Sequence, residues 1–92
     1  TKTADIDKAV EGAVRASYSN SGQLCISIER IYVENSAAAD FAAKFARRVA
    51  GMTIGDAYDF STEMGSLASA AQVDTIEAHV EDAKAKGATV LA

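Results

Sequence analysis

The apolar residues of the first twenty positions fall at helical spacing. Ile6, Val10 and Val14 recur every fourth residue with Ala9 and Ala13 beside them, which predicts an amphipathic helix from about Asp5 to Ser19. Asp5 suits the N-cap, and Asp7 suits the positive end of the helix dipole. Ser17 takes the next place in the alanine row, so the stripe narrows toward Tyr18, and Ser19-Asn20-Ser21-Gly22 is a turn signal that stops the helix. The pattern then changes. Cys25 to Val33 is rich in β-branched and aromatic residues, and Ile26 and Ile28 alternate with Ser27 and Glu29, the period of a strand. Its end, Ile31-Tyr32-Val33, is apolar on both faces, as in a covered interior strand.

Helical spacing returns after that segment. Asn35 or Ser36 is placed to cap a second helix running to about Ala50, with Phe41, Phe45 and Val49 as its buried stripe. Lys44, Arg47 and Arg48 crowd its C-terminal half, and Gly51 is placed for a left-handed stop. No period holds from Met52 to Leu67, a connection punctuated by Gly55 and Gly65. A loop of that length inside a compact domain is usually functional or packed on something. Ser69 and Gln72 form a capping-box pattern for a third helix to about Lys86, with Val73, Ile76, Val80 and Ala83 on its apolar face and Gly87 closing it. Ala88 to Ala92 begins another apolar strand. The expected order is α-β-α-loop-α-β, an α/β fragment of a larger domain, because two strands rarely make a stable sheet of their own.

Composition narrows the classes of function. Ninety-two residues make one small domain at most, and 49% hydrophobic content suits a chain that buries a core. Nine basic against 13 acidic residues leave a formal charge of −4, which offers no electrostatic footprint for nucleic acid or an anionic membrane. No apolar run approaches the roughly 20 residues of a membrane span. No apolar stretch follows Lys2 as in a secretory signal. One cysteine forms no internal disulfide, and with one histidine it forms no structural zinc site, which takes about four ligands. A cytoplasmic, metal-free α/β piece with a single thiol is expected.

That thiol is the candidate chemistry. A lone cysteine beside isoleucines reads first as a buried, inert thiol. At a strand edge beside a glycine turn, though, it is within a substrate's reach, and backbone N–H groups in such a turn can point at a developing oxyanion. Only a thiolate is a useful nucleophile, so a lowered pKa or a nearby base is required. His79 is the only histidine, and amid Glu77, Ala78, Val80 and Glu81 it reads as a solvated helix residue.

Tyr18-Ser19-Asn20-Ser21-Gly22-Gln23-Leu24-Cys25, followed by Arg30-Ile31-Tyr32-Val33, resembles the catalytic-cysteine segment of the aldehyde dehydrogenase superfamily. The resemblance runs along nearly the whole chain: a helix before the cysteine, a Phe-bearing helix after the strand, then Gly55-Asp56, Met64-Gly65-Ser66-Leu67 and Lys86-Gly87-Ala88 in the family's order. Leu24 is bulkier than the family's usual residue there, Ser27 differs from the residues common two places after the nucleophile, and Ser66 replaces a proline. Gly-Gln-Leu-Cys-Ile-Ser-Ile-Glu-Arg with Met-Gly-Ser-Leu is similar to a bacterial succinate-semialdehyde dehydrogenase subgroup.

The resemblance implies a partial Rossmann-like catalytic domain in a longer chain that oxidises an aldehyde with NAD or NADP, works as a homo-oligomer, and uses Cys25 as nucleophile. It implies a substrate pocket bordered by Gln23, Leu24, Ile26 and Ser27, with the Cys25 N–H as a candidate oxyanion donor. Gly22, lacking a Cβ, lets the chain approach the substrate. Gln23 also reads as ordering the turn, Asn20 as a helix-end turn residue, Arg30 as an ion-pairing or domain-contact residue, and Glu29 as a solvated one. Nothing in these 92 residues matches the family's Glu-Leu-Gly-Gly general base, its oxyanion asparagine, its nucleotide-binding turn or its Glu-Phe-Gly-Pro cofactor contact, so the chain alone is expected to be inactive. Two competing readings are a non-catalytic structural relative whose cysteine is core filler, and an unrelated small interaction domain that buries Phe41, Phe45, Val73 and Ile76 against a partner.

Overall fold

The computed structural model describes residues 1, 3–56 and 60–92. Helix α1 spans Ile6–Tyr18, α2 spans Asn35–Ala50 and α3 spans Ala70–Ala85. The first begins as its sequence directs: the Asp5 carboxylate accepts from the Lys8 N–H, satisfying one of the donors a helix start leaves open. At α3 the Ser69 hydroxyl oxygen accepts from the Gln72 N–H in the same way, and Gly87, at φ +92°, takes the left-handed turn that ends it. Two caps differ from expectation. Glu34 stands at the N-cap of α2, where its carboxylate accepts from the Ser36 hydroxyl (3.1 Å) and makes no capping bond to a backbone N–H. Gly51 ends α2 at φ −90°, ψ 3°, its N–H donating to the Arg47 carbonyl and the Met52 N–H to that of Val49 rather than through a left-handed turn.

The core lies between α1 and α2. Val10 and Val14 meet Phe41, and these three with Ala37 are the buried apolar residues among those described. Phe45, Val49, Ile6, Ala9, Ala13, Tyr18, Val33 and Met52 pack around them, so the stripes predicted for the first two helices do face each other. Phe41 and Phe45 stack with ring centroids 5.6 Å apart, and Tyr18 closes the stack against Phe45 at 6.1 Å.

Neither expected strand forms among the described residues. The backbone of a strand needs a neighbour to take its N–H and C=O groups, and no segment runs beside 25–33 or 88–92. Ile28, Ile31 and Tyr32 are exposed, Tyr32 to 89%, where a covered interior strand had been predicted. The one β-bridge among the described residues joins Ile54 to Met64 across the neck of the long connection. Helix α3 packs against neither α1 nor α2, and its apolar residues Val73, Ile76 and Val80 are exposed. The surface, 7068 Å², exceeds the roughly 5,100 Å² a compact protein of 9.6 kDa presents. The radius of gyration is 14.4 Å against about 12 Å for a compact chain of this length.

Candidate functional site

The end of α1 turns into the candidate site through a run of backbone that few sequences tolerate. Asn20 (φ 52°), Ser21 (φ 57°) and Gly22 (φ 74°) are consecutive left-handed residues within a tight turn over Ser19–Gly22. Each non-glycine residue there costs about 1–2 kcal/mol, least for a short polar side chain that bonds locally. Both do so. The Asn20 amide donates to the Gln23 carbonyl (3.3 Å), and the Ser21 hydroxyl donates to the Gly65 carbonyl (2.8 Å). A Cβ on Gly22 would stand 3.4 Å from the Ser17 carbonyl, so the glycine serves both the positive φ and the close approach.

Gln23 connects this turn to the long connection. Its Nε2 donates to the Asn20 carbonyl (3.0 Å) and, more weakly, to the Ser66 carbonyl (3.4 Å), while its Oε1 accepts from the Ala68 N–H (2.8 Å). Both ends of the amide are thus engaged, and the turn-ordering reading describes where the side chain sits. Gly65 and Ser66 belong to the Met-Gly-Ser-Leu segment and Ala68 follows it, so that segment docks directly on the loop that precedes Cys25.

A second set of bonds holds the connection from the other side. Arg48 of α2 reaches the Glu11 carboxylate of α1 (3.2 Å) and the Glu63 carboxylate. The other Glu63 oxygen accepts from the Thr53 N–H (3.2 Å). The Glu63 N–H returns to the Thr53 carbonyl (3.0 Å), and the Thr53 hydroxyl donates to Ser61 (2.8 Å). The Arg48 guanidinium and the Thr53 N–H hold the Glu63 carboxyl below its ordinary range, and the same pairing raises Arg48. Two residues after Glu63, Gly65 meets Ser21. The connection is therefore pinned at its neck and again at the cysteine loop.

Cys25 itself is exposed and free. It occupies the turn Leu24–Ile26, closed by the Ser27 N–H donating to the Leu24 carbonyl (3.0 Å), and the Ile28 N–H then ties the chain to Ala16 of α1 (3.1 Å). The expectation of a sealed thiol is not met. The four residues read as bordering the substrate divide into two pairs. Gln23 faces the Met-Gly-Ser-Leu segment, and the half-buried Ser27 turns its hydroxyl toward the Ser17 carbonyl at 3.5 Å. Leu24 and Ile26, the residues on either side of Cys25, are exposed, and together with Gly12, Arg15, Ala16 and Ser19 of the α1 end they line a groove of about 270 Å³. A larger depression of about 520 Å³ has the Glu11–Arg48–Glu63 network in its wall and no residue of the cysteine turn, so its size gives it no claim to the chemistry.

The described residues contain no cluster of three or more metal-ligating side chains. His79 is exposed on α3, and Glu29 and Arg30 are exposed after the cysteine turn. Sequence reasoning missed Arg15 in the groove wall and the Arg48–Glu63 pinning. The positive charges near the end of α2 were visible, but their partners lie on other elements.

No helix of the described residues is long and apolar enough to cross a membrane. The family model described as "Aldehyde dehydrogenase family" matches residues 1–92. A Mycolicibacterium smegmatis protein provisionally named succinate-semialdehyde dehydrogenase [NADP(+)] is 55% identical over all 92 residues. A Mycobacterium tuberculosis protein provisionally named succinate-semialdehyde dehydrogenase [NADP(+)] 2 is 57% identical over 97% of the chain. A Sinorhizobium fredii protein with a similar provisional name is 45% identical over 95% of the chain. The chain spans only 17–18% of the length of these relatives. With the match running from first residue to last and the cysteine turn braced as described, the chain belongs to the aldehyde dehydrogenase family.

Proposed function

We propose that this chain supplies the nucleophile segment of an NADP-dependent aldehyde dehydrogenase acting on succinate semialdehyde, with Cys25 as the attacking residue. The observation that carries the reading is the exposed thiol at the apex of a turn braced on both sides. The relatives' names support the substrate and the cofactor.

The chemistry assigned to this chain is the bonding at sulfur. The Cys25 thiolate adds to the aldehyde carbon, a C–S bond forms, and the carbonyl π electrons move to oxygen, giving a thiohemiacetal alkoxide. The Cys25 N–H is the candidate backbone donor to that oxygen. A nicotinamide cofactor, when bound, supplies the acceptor for the hydride whose loss leaves a thioester. Water then adds to the thioester, the C–S bond breaks, and the thiolate returns as the acid departs. None of the 6 glycines stands in a strand-to-helix turn of the kind that holds a dinucleotide's phosphates, so no residue here is assigned to the cofactor.

The exposed apolar face of α3 and the excess surface support a reading of the chain as one segment of a longer catalytic domain. Two measurements test the proposal. In the longer polypeptide that contains this segment, Cys25→Ser should lower NADP reduction by succinate semialdehyde by roughly 10³-fold or more. The 92-residue chain alone should show no turnover. Full activity in the Ser variant would overturn the assignment of Cys25, and turnover by the isolated chain would overturn the reading as a partial domain.

A further inference from the structure

The groove bordered by Leu24 and Ile26 has one charged residue in its wall. Gly12, Arg15, Ala16 and Ser19 lie three or four residues apart, so they form one face of the α1 end, and Leu24 and Ile26 complete the wall from either side of the nucleophile. The volume, about 270 Å³, lies just below the lower end of ordinary ligand pockets, near 300 Å³, and suits a small substrate. Gly12 contributes no side chain, and a Cβ added there would meet nothing within 4 Å, so the floor is open.

Lys8, Lys44, Arg48, Lys84 and Lys86 each meet a carboxylate, whereas Arg15, like Arg30 and Arg47, has no ion-pair partner among the described residues. Of these three arginines Arg15 alone lines the groove whose wall includes Leu24 and Ile26, the residues on either side of Cys25. A planar, permanently charged fork of donors is the side chain best matched to a carboxylate. The groove otherwise offers small and apolar surface, which suits a short methylene chain.

We infer that Arg15 is a specificity-determining residue that receives the distal carboxylate of a short ω-carboxy aldehyde whose carbonyl carbon lies at Cys25. This deepens the proposed function and rests on it for the identity of the substrate. The placement of the charge can be tested without turnover.

The test alkylates Cys25, in the longer polypeptide that contains this segment, with iodoacetate and, separately, with iodoacetamide, the adduct at Cys25 being read by peptide mapping. Both reagents form the same kind of S–C bond with loss of iodide, and they differ in that the first carries a carboxylate. The ratio of their rates reports an anion's preference for the groove. Arg15→Gln should lower the iodoacetate-to-iodoacetamide ratio by about two- to fivefold, the range expected for a partly exposed charge pair. Arg15→Lys should recover most of it, and raising salt should lower the ratio in the unaltered polypeptide. Arg47→Gln, which removes the same charge from α2, controls for the overall field. An unchanged ratio in Arg15→Gln, or an equal fall in Arg47→Gln, overturns the inference. In the longer polypeptide, Arg15→Gln should reduce kcat/KM for succinate semialdehyde about tenfold relative to butanal, chiefly through KM. Equal loss on both aldehydes overturns the specificity role. If neither aldehyde is oxidised by the unaltered polypeptide, the proposed function fails, while the alkylation ratio still decides the place of Arg15.

Discussion

Gly22 carries two constraints at one position. Its φ of +74° favours a residue without a side chain, and an added methyl would stand 3.4 Å from the Ser17 carbonyl. Gly22→Ala should destabilise the chain by about 1 kcal/mol or more, read as a lower urea midpoint, and should change the alkylation rate of Cys25 by distorting the turn that presents it. Gly12→Ala is the contrasting case. It lies within α1 with open space around it, so it should raise stability by about 0.5–1 kcal/mol while narrowing the groove. At this scale much was legible. Asn20-Ser21-Gly22 announced a turn because these residues tolerate left-handed backbone, and Asp5 and Ser69 announced helix starts. The partners of Ser21 and Gln23 were not legible, since Gly65, Ser66 and Ala68 lie more than forty positions away and offer carbonyls and an N–H that every residue possesses.

The elements are joined by one small apolar contact and by charge. Phe41 stands at the centre of the α1–α2 contact, and Phe41→Ala should cost about 3–5 kcal/mol, enough to abolish cooperative unfolding seen by circular dichroism. The ion pairs set a pH dependence. Glu63 is held below its ordinary value of 4.5 by Arg48 and the Thr53 N–H, with Glu11 sharing the same guanidinium. Its stabilising contribution is present above pH 4.5 and is lost as pH falls through the depressed folded value. Arg48 and Lys44 are raised, Lys44 by Asp7 and Asp40, so their contributions persist below their ordinary values and are lost only in strong alkali. Acidification below pH 4.5 should therefore release the connection, seen as faster amide exchange at Gly65 and Ala68. Glu63→Gln should show that fast exchange already at neutral pH. The helices were readable because their stripes recur within one segment. The two strands were misread because a strand's pattern describes what would cover it, and here nothing does.

As a whole molecule the chain is open. Among the described residues four apolar side chains are buried, and Val73, Ile76, Val80, Val90 and Leu91 remain on the surface. The isolated chain should bind a hydrophobic dye and self-associate as concentration rises, whereas the longer polypeptide should do neither. A compact, dye-silent monomer would contradict the partial-domain reading. The family was readable at this scale because ordered short motifs from Tyr18 to Ala88 survive in the residue order alone. Local order also settles where helices start, which faces are apolar, and that one thiol follows a glycine turn, since these depend on neighbours three or four places apart. Whether the thiol is reachable, which loop braces it, and which cation shares a groove with its two neighbours were decided only when distant segments came together. Those properties belong to contacts across the chain, and no local pattern encodes a contact whose other half is a backbone carbonyl or an open space.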